Sequence, residues 1–479
     1  MLTYHFRDKK EGSLYLQLYA FMKEDILTGR LEADYRLPSR RAFAKNLGIS
    51  IVTVETAYEK LEAEGYIYSL PRKGFYVSRI DRSFVGAREG TGESRPVLVS
   101  DLDRKEDDRV LYDFASNSTL PELFPFSAWA RTMRSVISDQ SRELVERAPG
   151  GGIRSLREAI AGHLLEFRGM HADPGQIIVG AGTEYLYSLI LQLLGRERIY
   201  AVEDPGYAKI AKIYRAGGVG VRHLRVDREG ISVKVLEESG ADIVHISPSH
   251  HFPTGTVMPV SRRYDLLGWA CAREGRYIIE DDYDSELRMD GRPVPTLRSM
   301  DPADRVIYVN TFSKTLASTI RISYMVLPVR LAERFYRELG FYSCTVSNFQ
   351  QYTLARFIAS GFFGNHINRM RRYYRKVRDC LLEGIQGSPA FGSCQIMEEN
   401  AGLHFLLKTD TSLSDRELRE RALARGIRIS CLSDYYQVPD RAPGGILLIN
   451  YSGIRPEDCA DAVRALGRVL SGDGPESAD

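Results

Sequence analysis

Five short apolar runs, at Gln176–Val179, Arg198–Val202, Asp242–Ile246, Arg276–Ile279 and Arg305–Val309, are separated by longer stretches with helical periodicity. Short strands that alternate with helices pair side by side through crossovers, so this pattern predicts an α/β domain around a mostly parallel sheet. From about residue 330 the chain turns helical and basic (Phe357 to Leu382). Strand-like runs follow near Leu403–Leu407 and Gly445–Asn450, and then a terminal helix, which together predict a smaller α+β part. The expected bounds are 111–479 for the whole unit, with a large part at about 111–330 and a small part at about 331–479.

The first 80 residues follow another pattern. Leu14, Leu18, Phe21, Met22, Ile26 and Leu27 fall near helical spacing and stop at Gly29. Ser39 opens a second helix through Leu47, closed by Gly48. A third runs from Ser50 through Val54, Tyr58 and Leu61 to Gly65. Tyr66–Leu70 and Phe75–Val77 flank Pro71-Arg72-Lys73-Gly74 and read as a hairpin. Three helices, a short turn between the second and third, and a hairpin predict a mainly α winged helix-turn-helix over 1–80. Residues 81–110 are polar and charged without sustained periodicity, a linker.

The whole chain has 479 residues, 43% hydrophobic and 27% charged, which excludes a disordered chain and allows two to four domains. No apolar run approaches the ~20 residues of a membrane span, and the opening residues lack the apolar stretch of a secretory signal. The six cysteines are scattered singly, which predicts neither a disulfide framework nor a zinc site and suits a reducing cytoplasm. Net charge is only +2, so any DNA-binding surface is local. Arg36, Arg40, Arg41 and Lys45 form a cluster without acids at the second helix, and Arg72 and Lys73 cap the wing. Cations there would face phosphates flanking a major groove, while Ser50, Thr53 and Thr56 on the third helix would touch base edges.

Leu37-Pro38-Ser39-Arg40-Arg41-Ala42-Phe43-Ala44, Gly48-Ile49-Ser50, Thr53-Val54, Ala57-Tyr58, Leu61, Gly65-Tyr66 and Lys73-Gly74-Phe75-Tyr76-Val77 resemble the GntR family of bacterial transcription regulators. The resemblance implies double-stranded DNA as a partner. Such proteins often carry arginine after the serine that opens the recognition helix; here Ile51 stands there, and Glu55 adds an acid.

Further on, four features fit one chemistry. Gly180-Ala181-Gly182-Thr183-Glu184 lies between a strand and a long apolar helix, where exposed backbone N–H groups hold an anion. As a dinucleotide fingerprint it fails: the third glycine is absent and position 185 is tyrosine, which excludes a nicotinamide-dependent dehydrogenase. Glu280-Asp281-Asp282-Tyr283 and Asn310-Thr311-Phe312-Ser313-Lys314-Thr315 each follow a strand, with Arg321 seven residues after Lys314; Pro205-Gly206-Tyr207 follows another. These are the parts pyridoxal 5′-phosphate (PLP) demands: a lysine for a Schiff base, a carboxylate for the pyridinium nitrogen, an anion cradle and a ring partner.

This half resembles the fold-type I aminotransferases, and the whole chain the MocR/GabR-type subfamily of GntR regulators. Ser247-Pro248-Ser249-His250-His251-Phe252-Pro253-Thr254-Gly255, Pro259-Val260-Ser261-Arg262-Arg263, Glu280–Glu286 and Ala401-Gly402-Leu403-His404-Phe405 carry the likeness. By matching position it implies Lys314 as the Schiff-base lysine, Asp281 on the pyridine nitrogen, Tyr283 on the ring hydroxyl and Tyr207 stacked on the ring. Gly182, Thr183, Thr311, Ser313 and Arg321 would surround the phosphate. Fold-type I sites are built at a subunit interface, so a homodimer is implied.

Four positions depart from the relatives. Phe252 stands where aminotransferases place an asparagine before Pro-x-Gly, and His251 replaces a glutamine common in the subfamily. Asp434 and Lys209 occupy positions where GABA-sensing relatives hold the effector carboxylate with arginines. Adjacent His250 and His251 lack Cys or carboxylate ligands at metal spacing, so no metal is expected. The expected function is a cytoplasmic PLP-dependent transcription regulator that senses a small amine, an amino acid or PLP itself at Lys314. An aminotransferase with a DNA-binding appendage is the alternative. Asp434 predicts that GABA is not the effector, and that a cationic or neutral ligand such as a diamine or amino alcohol is.

Overall fold

The computed structural model describes residues 2–4, 6, 13–81, 110–117, 119–289, 294–399 and 402–471. The chain divides into two compact units, Met1–Glu106 and Asp107–Asp479. Of the expected linker, residues 82–109 lie outside the described residues.

In the first unit, α1 (Leu14–Thr28) ends at Gly29 in the left-handed region, α2 spans Arg40–Leu47 and α3 spans Ile51–Ala63. Ser39 Oγ accepts from the Ala42 N–H and Ser50 Oγ from the Thr53 N–H, so each helix start satisfies one of its orphan donors. Gly48, at φ 66°, turns the chain between them. β1 (Ile67–Leu70) and β2 (Gly74–Val77) pair antiparallel from Ile67↔Val77 to Leu70↔Gly74. Leu18, Met22, Ile26, Phe43, Val54, Tyr58, Leu61, Ile67 and Val77 meet in one core, which ties the wing to all three helices.

The second unit holds an eight-stranded sheet. In chain order its strands are β3 (Ile177–Gly180), β4 (Ile199–Asp204), β5 (Gly220–Asp227), β6 (Gly230–Ile231), β7 (Ile243–Ile246), β8 (Tyr277–Asp281), β9 (Val306–Thr311) and β10 (Ser323–Val326). Their spatial order is β3-β10-β9-β8-β7-β4-β5-β6. β9, β8, β7, β4 and β5 run parallel, while β10 is antiparallel to both β9 and β3. The five expected runs are all strands. The sequence reading missed β5, whose apolar positions alternate with exposed polar ones as on an edge, the two-residue β6, and β10. In register, Val202 faces His245, His245 faces Ile279 and Asp281 faces Val309, so these C-terminal ends share one edge. Thr311, Ser323 and Gly180 form a row across β9, β10 and β3.

A second sheet, in the order β11-β12-β14-β13, comprises β11 (Gln395–Met397), β12 (His404–Lys408), β13 (Ser430–Cys431) and β14 (Ile446–Asn450), all antiparallel. The helical stretch expected at Phe357–Leu382 falls in two helices, Asn348–Ala359 and Phe362–Gly387, divided at Gly361 with φ 73°. The expected division at about residue 330 also moves. Phe114 and Leu123 pack in the core of the small part, with Met370, Phe405 and Leu466. Leu331, Phe335, Leu354, Phe357 and Ile367 pack in the cores of the large part. Burial of apolar faces, rather than position along the chain, sets this boundary.

Candidate functional site

The edge formed by the ends of β4, β8 and β9 carries the candidate residues. Asp281, the last residue of β8, is buried; its Oδ2 accepts from the Tyr187 hydroxyl at 2.5 Å. Tyr187 lies on α4 (Thr183–Leu194), and burial together with Asp281 pushes its hydroxyl well above the usual range, which keeps it a donor. His245 Nε2 lies 3.5 Å from the same Oδ2, and His245 Nδ1 meets the Tyr214 hydroxyl at 2.6 Å. With Nδ1 accepting from Tyr214, the ring carries its proton on Nε2, toward Asp281. The other oxygen, Asp281 Oδ1, is buried and without a hydrogen-bond partner among the described residues. A bare buried carboxylate oxygen costs desolvation unless a donor meets it, and a protonated ring nitrogen is such a donor.

Lys314 follows β9 and is half-buried. Burial pushes its amine down to about 8, against the opposing pull of the Asp284 and Asp281 carboxylates. A lysine with a raised neutral fraction near physiological pH is a better nucleophile toward carbonyls than an ordinary one.

At the start of α4, Gly182 adopts φ 92°, and a Cβ there would lie 2.5 Å from Arg321 Nη2. The absence of a side chain is therefore what admits the guanidinium beside the N-terminus of α4. Arg321 pairs with Glu184 Oε2 at 2.6 Å, and Lys209 pairs with Glu184 as well. Thr311 Oγ1 accepts from Ser323 Oγ at 2.8 Å and from the Ser313 N–H at 3.1 Å, so it shapes the turn on which Ser313 and Lys314 sit. The backbone N–H groups at Gly182 and Thr183 and the Ser313 turn would suit an anion, which would compete with Glu184 for Arg321; the Thr311 hydroxyl is already committed to the protein.

Tyr283, half-buried, has its hydroxyl 3.1 Å from His250 Nδ1, while Asp284 Oδ2 lies 2.8 Å from the same nitrogen. The carboxylate only accepts, so Nδ1 gives its proton to Asp284 and the Tyr283 proton remains for another acceptor. His250 stacks on His404 at 4.7 Å, and His404 meets Phe252 edge-on at 5.5 Å. Phe252 in turn meets Tyr435 at 4.9 Å and Tyr207 at 6.1 Å, both edge-on. Tyr207 keeps 51% of its surface exposed, as a ring waiting for a stacking partner would. Beneath this row, His251 Nε2 lies 3.6 Å from Glu203 Oε2. Burial pushes Glu203 up to about 8 and His251 down to about 3, so near neutral pH both are uncharged.

The two expected effector residues do not present bare charges. Asp434 lies in the 3-10 helix Leu432–Tyr435, where Oδ2 accepts from the Cys431 N–H at 2.9 Å and Oδ1 pairs with Arg419 at 2.5 Å. Lys209 is paired with Glu184. The repulsion argued from Asp434 against an effector carboxylate needs an unpaired charge, and Arg419 offsets it.

In the first unit, Arg36, Arg41, Lys45, Arg72 and Lys73 are exposed. Arg40 differs: it pairs with Glu55 of α3 and its guanidinium lies 5.4 Å from the centroid of Phe75. The cluster expected to be free of acids is thus closed by Glu55 across the α2–α3 contact. The hydroxyls expected at base edges are also engaged: Ser50 and Thr53 with each other at 2.8 Å, and Thr56 with the Val52 carbonyl at 2.9 Å.

Sequence reasoning missed Tyr187, Tyr214 and His245. A histidine inside the otherwise apolar Ile243-Val244-His245-Ile246 strand was the available signal, since a fully buried strand carries a polar residue only for a partner. Among the described residues no His, Cys, Asp and Glu side chains group to hold a metal ion, and no helix is long and apolar enough to cross a membrane.

A winged helix-turn-helix and an α/β unit whose strand ends fit PLP define a two-part regulator. Residues 14–77 match the gntR family of bacterial regulatory proteins, and residues 111–466 match the class I and II aminotransferases. The chain belongs to the MocR-type GntR regulators, in which a winged DNA-binding domain precedes an aminotransferase-like domain that binds PLP. It is 38% identical over 453 residues to the uncharacterized HTH-type transcriptional regulator YdeL of Bacillus subtilis (strain 168), covering 95% of this chain and 96% of that one. It is 33% identical to the probable rhizopine catabolism regulatory protein MocR of Rhizobium meliloti, over 95% of this chain and 93% of that one. Among solved structures, Pyrococcus horikoshii kynurenine aminotransferase matches with a TM-score of 0.67 at 22% identity, covering 82% of this chain and 97% of that one.

Proposed function

We propose that this regulator changes its affinity for DNA when a small primary amine or amino acid, or PLP itself, engages the site at Lys314. The observation that carries the reading is the bare Oδ1 of Asp281 in a site whose lysine is pushed down to about 8. Lys314 would hold the cofactor's aldehyde, Asp281 its ring nitrogen and Tyr283 its ring hydroxyl. Tyr207 would cover the ring, and Gly182, Thr183, Ser313 and Arg321 would hold the phosphate, with Thr311 fixing the turn. When bound, the cofactor supplies a carbonyl that captures amines and a ring that withdraws electrons. The protein's own part is to lower the Lys314 amine toward neutral pH, keep Tyr283 protonated and fix Asp281 through Tyr187, with His245 beside it.

The inclusion of PLP among the candidate effectors draws support from a relative named as a pyridoxine biosynthesis transcriptional regulator, PdxR of Corynebacterium glutamicum, 30% identical over 88% of this chain and 89% of that one. Effector and DNA are linked by a coupling free energy, which requires differential affinity for two states. A homodimer carrying two winged helices would engage two half-sites, in the cytoplasm where DNA lies. The second reading, a working transaminase, draws on the same neutral lysine. Phe252 counts against it, because hydrocarbon there supplies no polar handle for the reacting ring. Borohydride trapping of the cofactor in wild type and Lys314→Ala tests the site, and a half-transamination assay separates regulator from enzyme.

A further inference from the structure

We propose that Val52, assisted by Ile51, reads thymine methyl groups in the operator. The inference rests on α3 being the helix that enters the major groove. Val54, Ala57, Tyr58 and Leu61 of α3 are buried, yet Val52 is 68% exposed and Ile51 46% exposed. Two adjacent β-branched side chains held in water at the start of a helix do nothing for the core of this unit. The polar groups around them are already spent. Ser50 caps the helix, Thr53 bonds Ser50, Thr56 turns back on the Val52 carbonyl, and Glu55 is neutralised by Arg40. What α3 presents outward at this end is aliphatic.

In the major groove each base edge offers hydrogen-bonding groups, and thymine alone adds an aliphatic one, its C5 methyl. Exposed cations at Arg41, Lys45, Arg72 and Lys73 would hold the duplex by its phosphates and leave α3 free to discriminate. The occupant of this face is therefore a duplex with thymine at the positions Val52 and Ile51 meet.

A randomised duplex pool selected with the full-length chain provides the probe. Each thymine of the selected duplex is then replaced by uracil, which removes the methyl and keeps every hydrogen-bonding group. At one or two positions wild type should bind the uracil duplex about fourfold more weakly, the value of one buried methyl group. Val52→Ala should bind the thymine duplex more weakly by a similar factor and show no further loss with uracil at the Val52 position. Equal wild-type affinity for thymine and uracil duplexes at every position overturns the proposal, as does an undiminished uracil effect in Val52→Ala. Val52→Glu separates this failure from failure of the groove assignment. A carboxylate pushed toward phosphates should abolish selective binding if α3 enters the groove, whether or not a methyl is read. Retained selective binding by Val52→Glu would show that α3 lies elsewhere and would overturn both. Thermal unfolding of each variant controls for folding, which an exposed position should leave unchanged.

Discussion

Two ionisable side chains, Glu203 buried and Lys314 half-buried, set how the candidate site responds to pH. Lys314 is pushed down to about 8, so the fraction of neutral amine rises with pH around that value. The rate of covalent PLP uptake, followed by absorbance, should climb with a midpoint near 8 instead of the ordinary lysine range. Lys314→Ala should fold but trap no cofactor with borohydride; an undiminished adduct would place the reactive amine elsewhere. Glu203 is pushed up to about 8 by burial, with the Ser247 N–H bonded to Oε2. Between about 4.5 and 8 the native state keeps a proton that the unfolded chain has released. Its contribution is therefore fully present below the unfolded value and is lost as pH rises through 8. Glu203→Gln, uncharged throughout, should remove this slope: urea midpoints of wild type and variant should diverge as pH rises from about 5 to 8. Parallel midpoints would mean that Glu203 is ionised in the fold.

At the scale of elements, what was legible in the sequence was local. Ser39, Gly48 and Ser50 mark helix ends because a cap acts on backbone groups three or four residues away. The Arg40–Glu55 pair was not legible, since it depends on how α2 packs against α3. Nor was β10, whose four residues carry no turn signal of their own and gain their place from β3 and β9 on either side. The distinction predicts different roles for neighbouring arginines. Arg41, exposed and outside any ion pair found among the described residues, should act on phosphate. Arg41→Ala should weaken binding to all sequences alike and reduce the slope of log affinity against log salt by about one. Arg40→Ala should instead lower the melting temperature of the first unit, having released Glu55 and uncovered Phe75. In α4, Gly182→Ala combines a left-handed φ with a Cβ on Arg321. It should weaken PLP binding while leaving Lys314 able to react with pyridoxal, which lacks the phosphate; equal loss for both aldehydes would contradict a phosphate role.

Across the whole molecule, the order of winged helix and α/β unit was readable because each carries its own periodicity. The edge was readable because Asp281 ends a strand and Lys314 and Tyr207 come shortly after two others, strands that open sheets line up in one direction. The boundary between large and small parts was not, because Phe114 and Leu123 join a core built mostly from residues beyond 370. The effector was least legible of all: the sign of Asp434 mattered only until Arg419 was placed beside it. With both that charge and Lys209 offset, the amine group of a ligand, which on the proposed reading would take the place of Lys314, becomes the common requirement. The most direct measurement is the affinity of the PLP-loaded full chain for its selected operator duplex at fixed salt, titrated with GABA, amino acids and diamines, in wild type and Lys314→Ala. One class of amine should shift the wild-type affinity at least severalfold and leave Lys314→Ala unmoved. An equal shift in both proteins, or amine turnover with no change in DNA affinity, would contradict a regulator that reads its signal at Lys314.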